Sequence, residues 1–92
     1  MNGRALVAWN LRRLRTERGV SQERLAADAG VDRAYVSELE REQGNASVDM
    51  LDKLASVLSV PIGEFLAVPP VGASEIKPLP AGRKPARKAT DM

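Results

Sequence analysis

Residues 21–41 read SQERLAADAGVDRAYVSELER, and the placement of small and branched residues in this stretch decides the fold. Ser21 has the chemistry of a helix N-cap, because its hydroxyl accepts a backbone N–H that a first helical turn leaves without a partner. Glu23 follows in that turn, where an anion complements the helix dipole. The reciprocal capping box is incomplete, since Arg24 stands where Glu or Gln would reach back to the cap. The helix is expected to end near Ala29, with Gly30 supplying a positive φ in the turn. Asp32 is the next N-cap and opens a helix from Arg33 to about Arg41. Ala26 lets two helix backbones approach closely where they cross, while Leu25, Val31, Val36 and Leu39 fill the small core beneath. This spacing makes the second helix stand out from the body of the domain.

Upstream, Val7, Leu11 and Leu14 recur at i, i+4 and i+7, which predicts a helix over 5–18 closed by Gly19 in a left-handed conformation. Downstream, EQGN at 42–45 reads as a loop and Ser47 as the cap of a fourth helix with an inward stripe of Val48, Leu51, Leu54, Ala55 and Leu58. Pro61 permits a short fifth helix over 62–67 burying Ile62, Phe65 and Leu66. No period-2 apolar alternation persists, so no sheet is expected. The expected fold class is all-α, with five short helices making one compact domain over 5–67. From Pro69 the chain reads PPVGASEIKPLPAGRKPARKATDM, with five prolines and little apolar periodicity. Such a segment buries too little surface to offset its ordering entropy, so 69–92 is expected to be a disordered, basic, proline-rich tail.

Composition narrows the function. The 92 residues contain no cysteine and no histidine. That removes disulfides, thiolate metal sites and the commonest metal ligand and general base. With no glycine-rich phosphate loop and no cleft-sized domain, neither enzyme activity nor a metal, cofactor or small-molecule ligand is expected. The acids Asp49 and Asp52 open the fourth helix, where dipole complementation explains them. No apolar run approaches membrane-spanning length, which points to a soluble, cytoplasmic protein. The net charge of +2 hides an asymmetry: residues 1–68 sum to −1 and residues 69–92 to +3. Charge alone is therefore weak support for nucleic-acid binding, and the placement of charges matters more.

NLRRLRTERGVSQERLAADAGVDRAYVSELER, residues 10–41, resembles the Cro/repressor-type (Xre-like, lambda-repressor-like) helix-turn-helix DNA-binding family. The motif itself covers 22–41, and NLRRLR, the SQ at 21–22 and YVSELER carry the likeness. DRAYVSELER followed by a short loop is most similar to the small controller proteins of restriction–modification systems. The resemblance implies a sequence-specific transcription regulator that binds double-stranded DNA as a homodimer on a pseudo-palindromic operator, as a repressor or autoregulator. It places Gln22 near a phosphate at a helix N-terminus and Arg33 and Ala34 at base edges, Arg33 toward guanine and Ala34 toward a thymine methyl. Tyr35, Ser37 and Asn45 are implied as backbone contacts, and Arg15 with Glu40 as a buried ion pair tying the first helix to the third. Ile62, Phe65, Leu66 and Val68 are the candidate dimer contacts.

Two features depart from the family pattern. Glu38 lies one turn beyond Arg33, where relatives carry neutral or basic residues; it either accepts from cytosine N4 or is repelled by phosphate. The loop REQGNAS holds Gly44 and Ala46 where many relatives have a basic residue and a proline. Fewer cations there weaken non-specific binding and flatten its salt dependence. Trp9 is read as a packing residue. GRKPARK in the tail is either a minor-groove hook or a diffuse source of positive charge. The competing function is a protein-interaction module of the same fold, an antitoxin or a transcription-factor adaptor.

Overall fold

Local capping explains where most of the helices begin and end. The structure, a computed structural model, describes residues 1–70, so the tail reading over 71–92 lies outside the described residues. Helix α1 spans Gly3–Glu17 and starts two residues before the expected position, because Asn2 Oδ1 accepts the Ala5 N–H at 2.9 Å. Helix α2 is Gln22–Ala29, with Ser21 Oγ accepting the Arg24 N–H at 3.0 Å. Helix α3 is Arg33–Glu40; Asp32 occupies the cap position with extended backbone but makes no side-chain cap bond. Helix α4 is Val48–Leu58, and Ser47 Oγ accepts the Met50 N–H at 3.0 Å. The fifth element, Ile62–Leu66 after Pro61, is a 3-10 turn rather than an α-helix. Among the described residues there are no strands. Nor is any helix among them long and apolar enough to cross a membrane.

The α2–α3 turn depends on Gly30, which ends α2 at φ 73° and ψ 34°. There the Gly30 N–H donates to Ala27 O and the Val31 N–H to Ala26 O, satisfying carbonyls that the helix end leaves open. A Cβ at Gly30 meets nothing within 4 Å, so the glycine is required by backbone conformation and not by space. Gly30→Ala is expected to cost about 1–2 kcal/mol through its left-handed φ. Urea denaturation checks this, and a neutral result would show that the turn relaxes to another geometry.

Helix α1 packs against α3 and the 3-10 turn, and α2 against α3 and α4. Their shared core is Val7, Leu11, Leu14, Leu25, Ala26, Val36, Leu39, Leu51, Leu54, Ala55, Leu58 and Phe65. Two expectations are corrected. Val48 is 68% exposed, because the first residue after the Ser47 cap precedes the turn of α4 that faces the core. Phe65, expected as a dimer contact, is 0% exposed and belongs to the monomer core, whereas Leu66 is 52% exposed. A 3-10 helix repeats every three residues, so Ile62 and Phe65 share one side and Leu66 is rotated off it.

Three polar residues, Asn10, Arg15 and Glu40, are buried with this core. Arg15 donates from Nε to Glu40 Oε2 at 2.6 Å and from Nη2 to Oε1 at 2.9 Å, the two-pronged geometry suited to a planar guanidinium. Its Nη1 donates to Val20 O at 2.9 Å. Asn10 was not singled out from the sequence, yet it is 0% exposed. Its Nδ2 donates to the carbonyls of Leu6, Phe65 and Ala67, and its Oδ1 accepts from Arg13. Arg13 also pairs with Glu64 at 3.1 Å and lies over the half-buried Trp9 ring, 5.5 Å from its centroid. These bonds clamp the 3-10 turn onto α1. Trp9 thus sits in the packing layer beside that clamp.

Candidate nucleic-acid interface

Helix α3 divides by face. Val36, Leu39 and Glu40 point inward, whereas Arg33, Ala34 and Glu38 are exposed and Ser37 is half-buried. This division follows from helical period: residues one turn apart share a side, so an eight-residue helix with three buried positions presents a continuous outer ridge. Among the described residues neither Arg33 nor Glu38 has an ion-pair partner, so both project a full charge. Arg41, just past the end of α3, donates from Nη1 to Ser37 Oγ and extends the ridge by a second cation. It was read from the sequence only as the end of the helix, although it lies four residues after Ser37 and so on the same face.

The flanks of this ridge are tied together. Tyr35 is half-buried, and its hydroxyl donates to the Asn45 carbonyl at 2.9 Å. Burial raises the Tyr35 pKa above the ordinary 10.0, so the phenol keeps its proton at neutral pH. Asn45 in turn accepts at Oδ1 from the Arg4 guanidinium at the start of α1. At the other flank, Gln22 Nε2 donates to Glu40 Oε1 at 3.0 Å. Gln22 opens α2 as expected, but its amide nitrogen is already engaged by the buried ion pair. Arg12 approaches the same carboxylate at 3.5 Å, so α1, α2 and α3 meet on one Glu40 side chain.

The partition of charge separates structural cations from surface ones. Arg12, Arg13, Arg15, Arg18 and Arg24 all lie within ion-pair distance of carboxylates. Among the described residues, Arg4, Arg33, Arg41 and Lys53 have no such partner. Three of these four belong to the α3 ridge or the Asn45 flank. The ridge carries both signs: Asp32, Glu38 and Glu42 are exposed beside Arg33 and Arg41, and among the described residues none of the three carboxylates has an ion-pair partner. Among the described residues, no group of three or more His, Cys, Asp or Glu side chains could hold a metal ion.

The family model described as "Helix-turn-helix" matches residues 11–65, more than half the chain. The chain belongs to the Xre-like helix-turn-helix family. Relatives of this helix-turn-helix chain include a hypothetical transcription factor of Neisseria meningitidis, 41% identical over 66 residues that make up 72% of this chain and 62% of that protein. The chain thus spans less than two thirds of that relative's length. Control protein C.BamHI of Bacillus amyloliquefaciens is 32% identical over 83% of this chain and 95% of its own. Among solved structures, the restriction-modification controller protein C.AhdI of Aeromonas hydrophila superposes with a TM-score of 0.65 at 42% identity, covering 67% of this chain and 94% of that one. The likeness to controller proteins read from DRAYVSELER is therefore present at the level of whole domains. Within the helix-turn-helix fold, the outward residues of α3 and the residues flanking it form the natural candidate surface.

Proposed function

We propose that the chain is a sequence-specific DNA-binding transcriptional regulator that acts as a cytoplasmic homodimer on a pseudo-palindromic operator, as a repressor or autoregulator. The observation that carries this reading is the placement of unpaired cations: Arg33 opens α3 and Arg41 follows it on the exposed side, while five other arginines lie within ion-pair distance of carboxylates. Family membership and the regulator relatives support it. Arg33 and Ala34 enter the major groove first, with Arg33 donating two bonds to guanine O6 and N7 and Ala34 meeting a thymine methyl. Ser37 and Asn45 face the backbone beside them, Tyr35 supports Asn45 there through its hydroxyl bond to the Asn45 carbonyl, and Gln22 brings the N-terminal end of α2 to a phosphate. Glu38 is the position suited to accept from cytosine N4.

One α3 reads few base pairs, so two copies on half-sites about a helical turn apart are needed for useful affinity. Near the 3-10 turn the apolar residues available for pairing are Leu66, Val68 and the half-buried Ile62, and Met1 and Val48 are exposed elsewhere. Phe65 supports that surface from beneath and does not join it.

The test is fluorescence anisotropy with duplex DNA from immediately upstream of the chain's own gene, against a scrambled duplex near physiological salt. Arg33→Ala is expected to lose about 1–3 kcal/mol on the selective duplex and to relax preference at one base pair. Equal, weak binding to both duplexes, unchanged in the variant, would contradict an autoregulatory reader. The exposed Glu38 favours a second reading, in which α3 docks on a protein partner as in an antitoxin or adaptor. Salt separates the two, because phosphate contacts weaken steeply with ionic strength and an apolar interface does not.

A further inference from the structure

Building on the DNA-binding reading, we propose that Arg4, outside the helix-turn-helix motif, is a DNA-backbone phosphate contact and that Asn45 positions it. Arg4 Nε and Nη2 lie 3.2 Å and 2.5 Å from Asn45 Oδ1, across 41 positions of sequence. The Asn45 carbonyl is itself fixed by the Tyr35 hydroxyl at 2.9 Å, so a continuous chain of bonds runs from α3 to the guanidinium. Because arginine only donates, the atom facing it is the amide oxygen, which turns the Asn45 NH2 group away from Arg4. Among the described residues that NH2 group has no acceptor. The Arg4 guanidinium and the Asn45 NH2 group are thus two donors on one flank of α3, each suited to a phosphate oxygen.

The fold gives Arg4 no other evident task. It sits in the first turn of α1, where a cation opposes the helix dipole, and that turn contains no acid. Its partner is a neutral oxygen in place of a carboxylate, and the side chain is exposed. A Cβ on Gly44 would stand 3.1 Å from Leu39 Cδ2, so a side chain there requires that methyl to give by a few tenths of an ångström. With the uncharged Gly44 and Ala46 on either side of Asn45, the Arg4 guanidinium is a cation that the fold brings to this loop.

The experiment is the salt dependence of binding to a mixed-sequence 30-base-pair duplex, for wild type, Arg4→Ala, Asn45→Ala and Lys53→Ala, with thermal melts of each. Lys53, exposed on α4, is the control for net charge. In Arg4→Ala the slope of log K against log salt is expected to become shallower by about one unit per protomer. Its melting temperature should stay the same or rise, a sign opposite to the loss of binding. Asn45→Ala should weaken binding with less change in slope, and Lys53→Ala should leave the slope unchanged. A wild-type slope in Arg4→Ala, or an equal drop in Lys53→Ala, would overturn the phosphate contact while leaving DNA binding intact. Absence of any salt-dependent association by the wild type would remove the DNA-binding reading and Arg4's role together.

Discussion

Glu40→Ala is expected to lower the unfolding free energy by about 3–5 kcal/mol, the cost of leaving a buried charge without its partner. The Glu40 side chain is almost fully buried and receives both prongs of Arg15, the amide of Gln22 and the flank of Arg12. Removing it strands the Arg15 guanidinium inside the domain and frees the first turn of α2 at the same time. Domains hold about 0.05–0.15 kcal/mol of stability per residue, so a chain of this size has a margin of about 5–14 kcal/mol and loses a large part of it. The double variant Arg15→Met/Glu40→Leu separates charge burial from shape. Removing both charges lifts both desolvation penalties, so the double variant should lose much less than the sum of the single ones. Urea denaturation of Glu40→Ala, of Arg15→Met, of Glu40→Leu and of the double variant supplies the comparison. A loss under about 1 kcal/mol in Glu40→Ala would mean that the pair behaves like an exposed ion pair and does not hold the helices together.

The second large effect is expected at the 3-10 turn, where adjacent residues should fail in different ways. Phe65→Ala should cost about 3–5 kcal/mol, because a fully buried ring leaves both its transfer energy and a cavity behind. The cavity would open under the carbonyls that Asn10 holds, so loss of the clamp should follow. Leu66→Asp, by contrast, changes a half-exposed side chain and should leave the monomer fold intact. If Leu66 belongs to a dimer surface, the aspartate places a charge in an apolar contact and shifts the protein to monomer. Denaturation reports the first effect and analytical ultracentrifugation the second. A folded dimer in Leu66→Asp would exclude Leu66 from the pairing surface, and a near-neutral Phe65→Ala would contradict the ring's place in the core.

The features read correctly from sequence are those set by a few neighbouring residues. Ser21 and Ser47 cap the helices that follow them, and Gly30 adopts the left-handed turn, because each depends on bonds within four residues. The inward residues of α2 and α3 were legible for the same reason, since helical period fixes which positions share a face. Phe65 and Leu66 were merged onto one surface because an α-helical period was assumed where the chain forms a 3-10 turn. Asn10 and Arg4 carried no local signal. The partners that give them their roles lie 41 to 57 residues away, at Asn45, Phe65 and Ala67, and Asn10's local bonds to Leu6 and Arg13 do not announce them. Arg41 lay within reach of pattern reasoning, but its place as a helix end obscured its place on a face.

The division of α3 into an inward and an outward set has an evolutionary consequence. Substitutions on a solvent-facing side away from caps and cores typically change stability by no more than about 0.5 kcal/mol. Arg33, Ala34 and Glu38 fall in that class, while Val36, Leu39 and Glu40 do not. A lineage carrying this domain can therefore rewrite what the helix recognises without first acquiring compensating mutations in the interior. Tyr35 and Ser37, both half-buried and hydrogen-bonded, are the positions of α3 where a change would act on both sets at once.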